Sequence, residues 1–304
     1  MKYLAIISFL LIVNTVTGQL FPVSDFYVLN SLVINPACAG SQDALSTTFQ
    51  HRNQWVGFND APKSSMLSAH APFFNDQMGL GLLLNRHTFG IYRETSIMGN
   101  YAYRLNLHNG KLSMGIAFGV TSYKIAWNDL QASDPDDELL TDNSVNNTVP
   151  DFSVGSYYET NRYFIGFSIP FFLSHESDDN SGKLVTRNKT DAYNYFLTGG
   201  YSISVNSFLN LKPSVVLIYN KYSSLQGDIH FQAELWERLR AGAGYRTSGV
   251  FIGVIGINVN RQLRVSYSFD SDSGKAGNYR RGSHEIMVGY LFRYARNVIS
   301  PLDI

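Results

Sequence analysis

Two groups of residues in this 304-residue chain have the types and spacing to do chemistry. Between Trp127 and Asn147 lie Asp129, Asp134, Asp136, Asp137, Glu138 and Asp142, without a Lys or Arg among them. Clustered carboxylates supply the hard oxygen ligands that Ca²⁺ takes. Asp134, Asp136, Asp137 and Glu138 are therefore candidate calcium ligands, although the EF-hand spacing is absent and a solvated acidic loop is the plainer expectation. No other metal or cofactor is expected. In the second group, Asp228, His230, Gln232 and Glu234 recur at every second position, and Arg240 and Arg246 follow. A solute or proton pathway is one reading; the favoured one is a polar interior in which opposite charges pair across neighbouring strands. No third element completes a catalytic set around His230. G-x-S-x-G, H-E-x-x-H and the phosphate-binding loop are all missing. The expectation is a protein without enzymatic activity. A lone Cys38 excludes an internal disulfide framework and a cysteine-rich zinc site.

The elements that position these residues are strands. Lys and Arg number 24 against 24 Asp and Glu, a balance that argues against a nucleic-acid partner. Charged residues are only 16% and aromatics 14%, yet mean hydropathy is −0.10, too polar for several apolar spans. Alternation at period two resolves this. In Lys111–Ile125, Leu112, Met114, Ile116, Phe118 and Val120 are apolar, while Ser113, Gly115, Ala117, Gly119 and Thr121 are small or polar. Leu263–Asp270 and His284–Tyr294 repeat the pattern. Such strands meet an apolar medium on one face and a polar interior on the other.

A soluble, secreted β-sandwich and a membrane barrel both satisfy that alternation. Strand lengths of ten or more residues favour the barrel, since crossing a bilayer on a tilt takes about 9–11 residues. Tyr and Phe placed near strand ends, and alternating short and long connections, point the same way. The expected fold is all-β: a transmembrane antiparallel β-barrel of about 14 strands with short periplasmic turns and longer external loops. The strands fall near 44–53, 64–72, 77–86, 91–105, 110–126, 150–159, 162–172, 191–205, 208–221, 227–236, 238–247, 249–260, 262–270 and 281–294. Residues 1–18, with Lys2 before an apolar run from Leu4 to Val13, read as a signal peptide. The organisation expected is 1–18 signal peptide, 19–43 periplasmic or plug-like segment, 44–294 barrel and 295–304 tail. The location is the outer membrane of a Gram-negative cell.

The segment after the leader is the most distinctive. Asn35-Pro36-Ala37-Cys38-Ala39-Gly40 follows an amphipathic lead, and Arg52-Asn53-Gln54-Trp55 comes soon after, with Ala61-Pro62 downstream. The pair resembles the PorP/SprF family of outer-membrane proteins of the type IX secretion system of Bacteroidetes. Weaker elements of the resemblance continue at Pro150–Gly155, Gly199–Tyr201, Leu211–Ser214, Gly244–Arg246 and Ser283–Ile286. Cys38, where the family more often has an aromatic residue, and the tail past the last strand depart from its pattern.

The resemblance implies an integral barrel that works with other type IX secretion components and a secreted cargo protein, in some organisms including gliding adhesins. On that reading Asn35, Pro36, Gly40, Arg52, Gln54, Trp55 and Pro62 are candidate partner-binding residues. Pro36 and Gly40 suit a fixed turn, and Trp and Arg are favoured interface anchors. A membrane-girdle role for Trp55 and a lumen charge for Arg52 are the competing assignments. The alternative function is a general diffusion porin with a partly blocked lumen.

Overall fold

The computed structural model describes residues 24–42, 44–74, 76–126, 145–177, 184–187, 190–223, 225–272 and 282–292. Its strands are β1 (Leu45–Asn53), β2 (Lys63–Phe73), β3 (Met78–Phe89), β4 (Tyr92–Leu107), β5 (Gly110–Ile125), β6 (Val145–Glu159) and β7 (Tyr163–Ile169). After a separate hairpin, β8 (Ser174–Ser177) and β9 (Leu184–Arg187), come β10 (Tyr195–Tyr201), β11 (Ile203–Asn206), β12 (Leu209–Tyr219) and β13 (Gln226–Leu235). The last four are β14 (Leu239–Arg246), β15 (Val250–Asn258), β16 (Leu263–Asp272) and β17 (Ser283–Phe292).

All strands but β8 and β9 lie in one antiparallel sheet that closes on itself. β1 pairs β17 from Leu45 opposite Phe292 to Asn53 opposite His284. β10 and β11 both pair β12 and together make one staple of the wall, so the barrel has fourteen. Closure removes every unpaired strand edge, which a bilayer demands. No helix among the described residues is long and apolar enough to cross a membrane.

Alternation decides which way each side chain points. In β5, Met114, Ile116, Phe118 and Val120 are exposed on the outside, while Ser113, Gly115 and Ala117 are buried within. β16 and β17 repeat this, with Tyr267, Phe269, Ile286 and Val288 outward and Ser266, Ser268, Glu285 and Met287 inward. The exterior is an apolar belt and the interior a polar core, the inverse of a soluble domain.

Local chemistry makes the tight turns. Asn206 Oδ1 accepts from the amides of Phe208 and Leu209 (3.0 and 2.8 Å), and Asn260 Oδ1 does the same for Gln262 and Leu263. Thr160 Oγ1 closes the β6–β7 turn from the amides of Arg162 and Tyr163. In the three-residue connection from β13 to β14, Trp236 and Glu237 take positive φ in succession (50° and 55°) and the Arg238 amide returns to the Leu235 carbonyl at 2.9 Å, a left-handed pair that matches strand twist. These turns share one end of the barrel with the start of β1, the periplasmic end by the rule for such barrels. Aromatic rings meet there, with Tyr163 between Tyr158 and Tyr201 at 6.0 and 6.4 Å, and Phe208 at 6.1 Å from Trp236.

Connections at the other end include short ones, as the expected strand bounds implied: only Gly90 and Ile91 join β3 to β4, and residues 247–249 join β14 to β15. One feature departs from the sequence-based expectation. The expected strand 191–205 is broken at Ser202, whose amide turns to the Arg162 carbonyl at 2.6 Å.

Candidate functional site: the lumen and the segment across it

Residues 24–42 occupy the inside of the barrel. A stretch too short and too rich in Asn and Ser for a long helix folds instead as successive turns. Leu29 and Asn30 amides return to the Phe26 carbonyl, and Asn35 returns to Ser31, all at 2.9 Å. A 3₁₀ turn at Pro36–Cys38 follows. Pro36 stands at its first position, and Asn35 caps it by accepting the Ala37 amide at 3.0 Å. Gly40, at φ +65°, then swings the chain toward β1; a Cβ there would lie 2.6 Å from the Ala71 carbonyl.

Apolar side chains of the segment reach three sides of the wall. Phe26 packs with Val250, Ile252, Val254 and Met287. Tyr27 and Ile34 pack with Phe196, Val216 and Ile218, and Leu32 and Ala39 with Ala102. Near the periplasmic end the fit depends on missing side chains. A Cβ on Gly115 would strike the Ala37 backbone, one on Gly79 the Ala39 carbonyl, and one on Gly155 the Asn35 side chain. Asn35 Nδ2 donates to the carbonyls of Ser156 (2.9 Å) and Phe167 (3.4 Å), and Arg104 donates to the Ala39 carbonyl.

At the external end the segment enters a buried ion cluster. Asp25 receives Arg52 Nη1 at 2.8 Å, Arg246 Nη2 at 3.2 Å and the Ser268 hydroxyl at 2.8 Å. Arg52 also holds Glu285 at 3.0 Å and pairs with Asp270; Arg246 Nε holds Asp228 at 2.7 Å. Glu285 accepts the Ser24 hydroxyl (2.5 Å) and the Asp25 amide (3.0 Å). Burial would raise the Asp25 carboxyl, but the two guanidiniums outweigh it and hold it below its ordinary value. Two guanidiniums, from β1 and β14, thus serve four carboxylates drawn from three strands and the crossing segment. A network of this kind fixes a geometry more than it adds stability, because ions lose hydration on burial.

Of the residues singled out from sequence, Asn35, Pro36, Gly40, Arg52, Gln54 and Pro62 are buried, and the contacts described here are internal. The Gln54 amide donates to the Pro62 carbonyl at 2.9 Å, closing the β1–β2 loop. Trp55, half-buried at φ 47°, heads that loop and donates its amide to Ser283 Oγ at 3.4 Å. Val56 and Phe58 beside it are exposed. Asp134, Asp136, Asp137 and Glu138 lie outside the described residues. Asp228 and Arg246 face each other as the alternation predicts. Glu234 instead takes Lys212, and Arg240 donates to Asn258 at 3.0 Å. Asp25 is the residue missed by sequence reasoning. Its signal was present, because it is the one charged residue between 19 and 42, set in an apolar lead, and a buried charge requires a partner.

Comparison with known proteins follows the same outline. The family model "Type IX secretion system membrane protein PorP/SprF" matches residues 16–290. No curated protein is significantly similar in sequence. Among solved structures, the Ralstonia pickettii toluene transporter TbuX superposes with a TM-score of 0.51 at 10% identity, covering 91% of this chain and 96% of that one. The Acinetobacter baumannii outer membrane protein Omp33 gives 0.49 at 8% identity, covering 83% of this chain and 100% of that one. At such identities the likeness to TbuX is one of fold alone.

Proposed function

The chain belongs to the PorP/SprF family of type IX secretion system membrane proteins, and from that premise we propose that it docks or anchors secreted cargo and secretion machinery at the outer membrane without chemistry of its own. The observation that carries this reading is the segment 24–42, held across the lumen by Arg52 and Arg246 at one end and by glycine-lined contacts at the other. A barrel filled in this way is poorly suited to free diffusion. Its exposed groups for recognition then lie at its rims, among them Val56 and Phe58 in the loop headed by Trp55. Aromatic and apolar anchors of this sort are what protein interfaces use. The partners are other type IX secretion components and a secreted protein, in some settings one serving gliding.

Two measurements test it. Mild crosslinking in cells followed by purification should recover secretion components or cargo, and should fail to do so when Val56 and Phe58 are both changed to Ser. The isolated protein in planar bilayers should show no large, steady conductance. Such conductance would instead establish the diffusion-porin alternative.

A further inference from the structure

At the periplasmic end the Pro36–Cys38 turn packs on β4, β5 and β6, and β14, β15 and β16 face it from the opposite side of the barrel. That opposite wall carries a surplus of positive charge. Arg240 is the second residue of β14 and Arg264 the second of β16, both inward, with Lys212 of β12 and Glu234 of β13 beside them. Glu234 pairs with Lys212. Among the described residues it is also the carboxylate whose charge acts on both Arg240 and Arg264, and Arg264 in turn repels Arg240. These three cations thus share one carboxylate.

Two donors on this wall are unmet. Arg240 is 7% and Ser266 2% exposed, yet Arg240 Nε and Ser266 Oγ have no hydrogen-bond partner among the described residues. Gly256 lies between them in register, opposite Arg240 on one side and Ser266 on the other. Its missing side chain leaves the gap, since a Cβ there would lie 2.6 Å from Ser266 Oγ. Asn258 fixes the guanidinium: it donates to the Glu237 carbonyl at 2.7 Å and accepts Arg240 Nη2 at 3.0 Å. Buried donors without an acceptor, and buried cations short of counter-charge, carry a cost that a bound oxyanion relieves. Guanidinium forks match phosphate oxygens. Three cations less one carboxylate leave two positive charges, the complement of a phosphate dianion. Lys212, with 40% of its side chain exposed, keeps the wall open to the periplasmic mouth.

We propose that this wall is a binding site, entered from the periplasmic side, for a small phosphate dianion. The site goes beyond the docking reading, and neither depends on the other.

The test uses the full-length protein in phosphatidylcholine nanodiscs, dialysed to equilibrium against radiolabelled inorganic phosphate. Chloride holds ionic strength constant, and empty nanodiscs are subtracted. Binding should saturate at one phosphate per barrel. Arg240→Gln and Arg264→Gln should each weaken it by about tenfold or more, and Ser266→Ala by about threefold. Glu234→Gln removes the competing carboxylate and should tighten binding by about threefold or more, a gain that a damaged fold does not produce. Arg238→Gln removes the same charge from the exposed β13–β14 turn, outside the lumen, and should bind as the parent does. Dimethyl phosphate, which has the single charge of a lipid phosphodiester, should compete about tenfold more weakly than phosphate itself. Heat-modifiable gel mobility confirms that each variant barrel is folded; if an arginine variant does not fold, Glu234→Gln and Ser266→Ala carry the test. The proposal fails if phosphate shows no saturable binding above empty nanodiscs, or if Glu234→Gln does not tighten it. It fails equally if Arg238→Gln weakens binding as much as the folded lumen variants do, and equal competition by dimethyl phosphate would give the site to a lipid headgroup instead.

Discussion

Arg52 joins the barrel wall to the segment inside it, since one guanidinium holds Asp25 of the segment, Glu285 of β17 and Asp270 of β16. Arg52→Met would leave three buried carboxylates short of a counter-charge, and breaking a buried pair from one side costs about 3–5 kcal/mol. The segment should then leave its seat more often. Cys38 reports this directly, because it is the only cysteine and is buried, and burial pushes its thiol up and out of reach of alkylation. Its reaction with a maleimide at neutral pH should accelerate by about 100-fold or more in Arg52→Met, at 1.36 kcal/mol per factor of ten. An unchanged rate would mean the cluster does not hold the segment. Acid gives a second route to the same state. The Asp25 carboxyl is depressed in the folded protein, so its contribution is present above its unfolded value and is lost as pH falls through the folded one. Protection of Cys38, taken relative to the unfolded chain at each pH and read with 4,4′-dithiodipyridine, should therefore drop below the ordinary carboxylate range. Equal protection at pH 3 and pH 7 would contradict this.

Between elements, the fit of the 3₁₀ turn Pro36–Cys38 against β5 and β6 depends on glycine. Gly115→Val puts a branched side chain into the Ala37 backbone, which cannot give way as a flexible side chain can. We expect the barrel to assemble, with its heat-modifiable mobility intact, while Cys38 becomes accessible. A protected Cys38 in that variant would show that the turn can reseat. The same contacts explain which parts of the fold were legible beforehand. Fourteen wall strands could be read because lipid outside and polar groups inside force a two-residue period on each one. The break at Ser202 and the hairpin β8–β9 were not legible, because a single hydrogen bond to Arg162 and a pairing of four residues with four in a separate sheet leave no period of their own. The site was legible in pieces. Arg246 was visible as an inward charge, a lumen charge was one of two assignments open to Arg52, and Pro36 and Gly40 were visible as a turn. The meeting of Arg246 and Glu285 with Asp25 spans more than 200 positions of sequence, and no local pattern encodes such a distance. In the fold, the scattered segments behind the family resemblance become neighbours. Gly155 of Pro150–Gly155 meets Asn35, Ser214 of Leu211–Ser214 meets the Tyr27 hydroxyl at 3.3 Å, and Arg246 and Glu285 meet Asp25.

As a whole, the molecule is inside out relative to a soluble protein, and that inversion makes a prediction whose sign separates the two. Phe118 lies midway along β5, opposite Gly99 of β4 and Phe152 of β6, with 58% of its surface exposed on the barrel's outer face. In a water-soluble β-sandwich an exposed Phe is a liability, and Phe118→Arg would leave stability near its starting value or improve solubility. In a bilayer the same change places a guanidinium near the midplane, which costs about 2–4 kcal/mol in barrels of this type. Reversible denaturant unfolding from phosphatidylcholine vesicles should show that loss for Phe118→Arg and less than about 1.5 kcal/mol for Phe118→Leu, a hydrophobic exchange of similar size. The penalty should shrink toward either end of the strand. Met114→Arg, four residues nearer the periplasmic turns and also exposed outward, should cost less than Phe118→Arg. Costs that ignored depth, or an Arg tolerated at Phe118 within about 0.5 kcal/mol, would place this face in water rather than lipid. A graded penalty would instead locate the hydrocarbon boundary along β5, and with it the depth in the membrane at which Asp25 and its two guanidiniums sit.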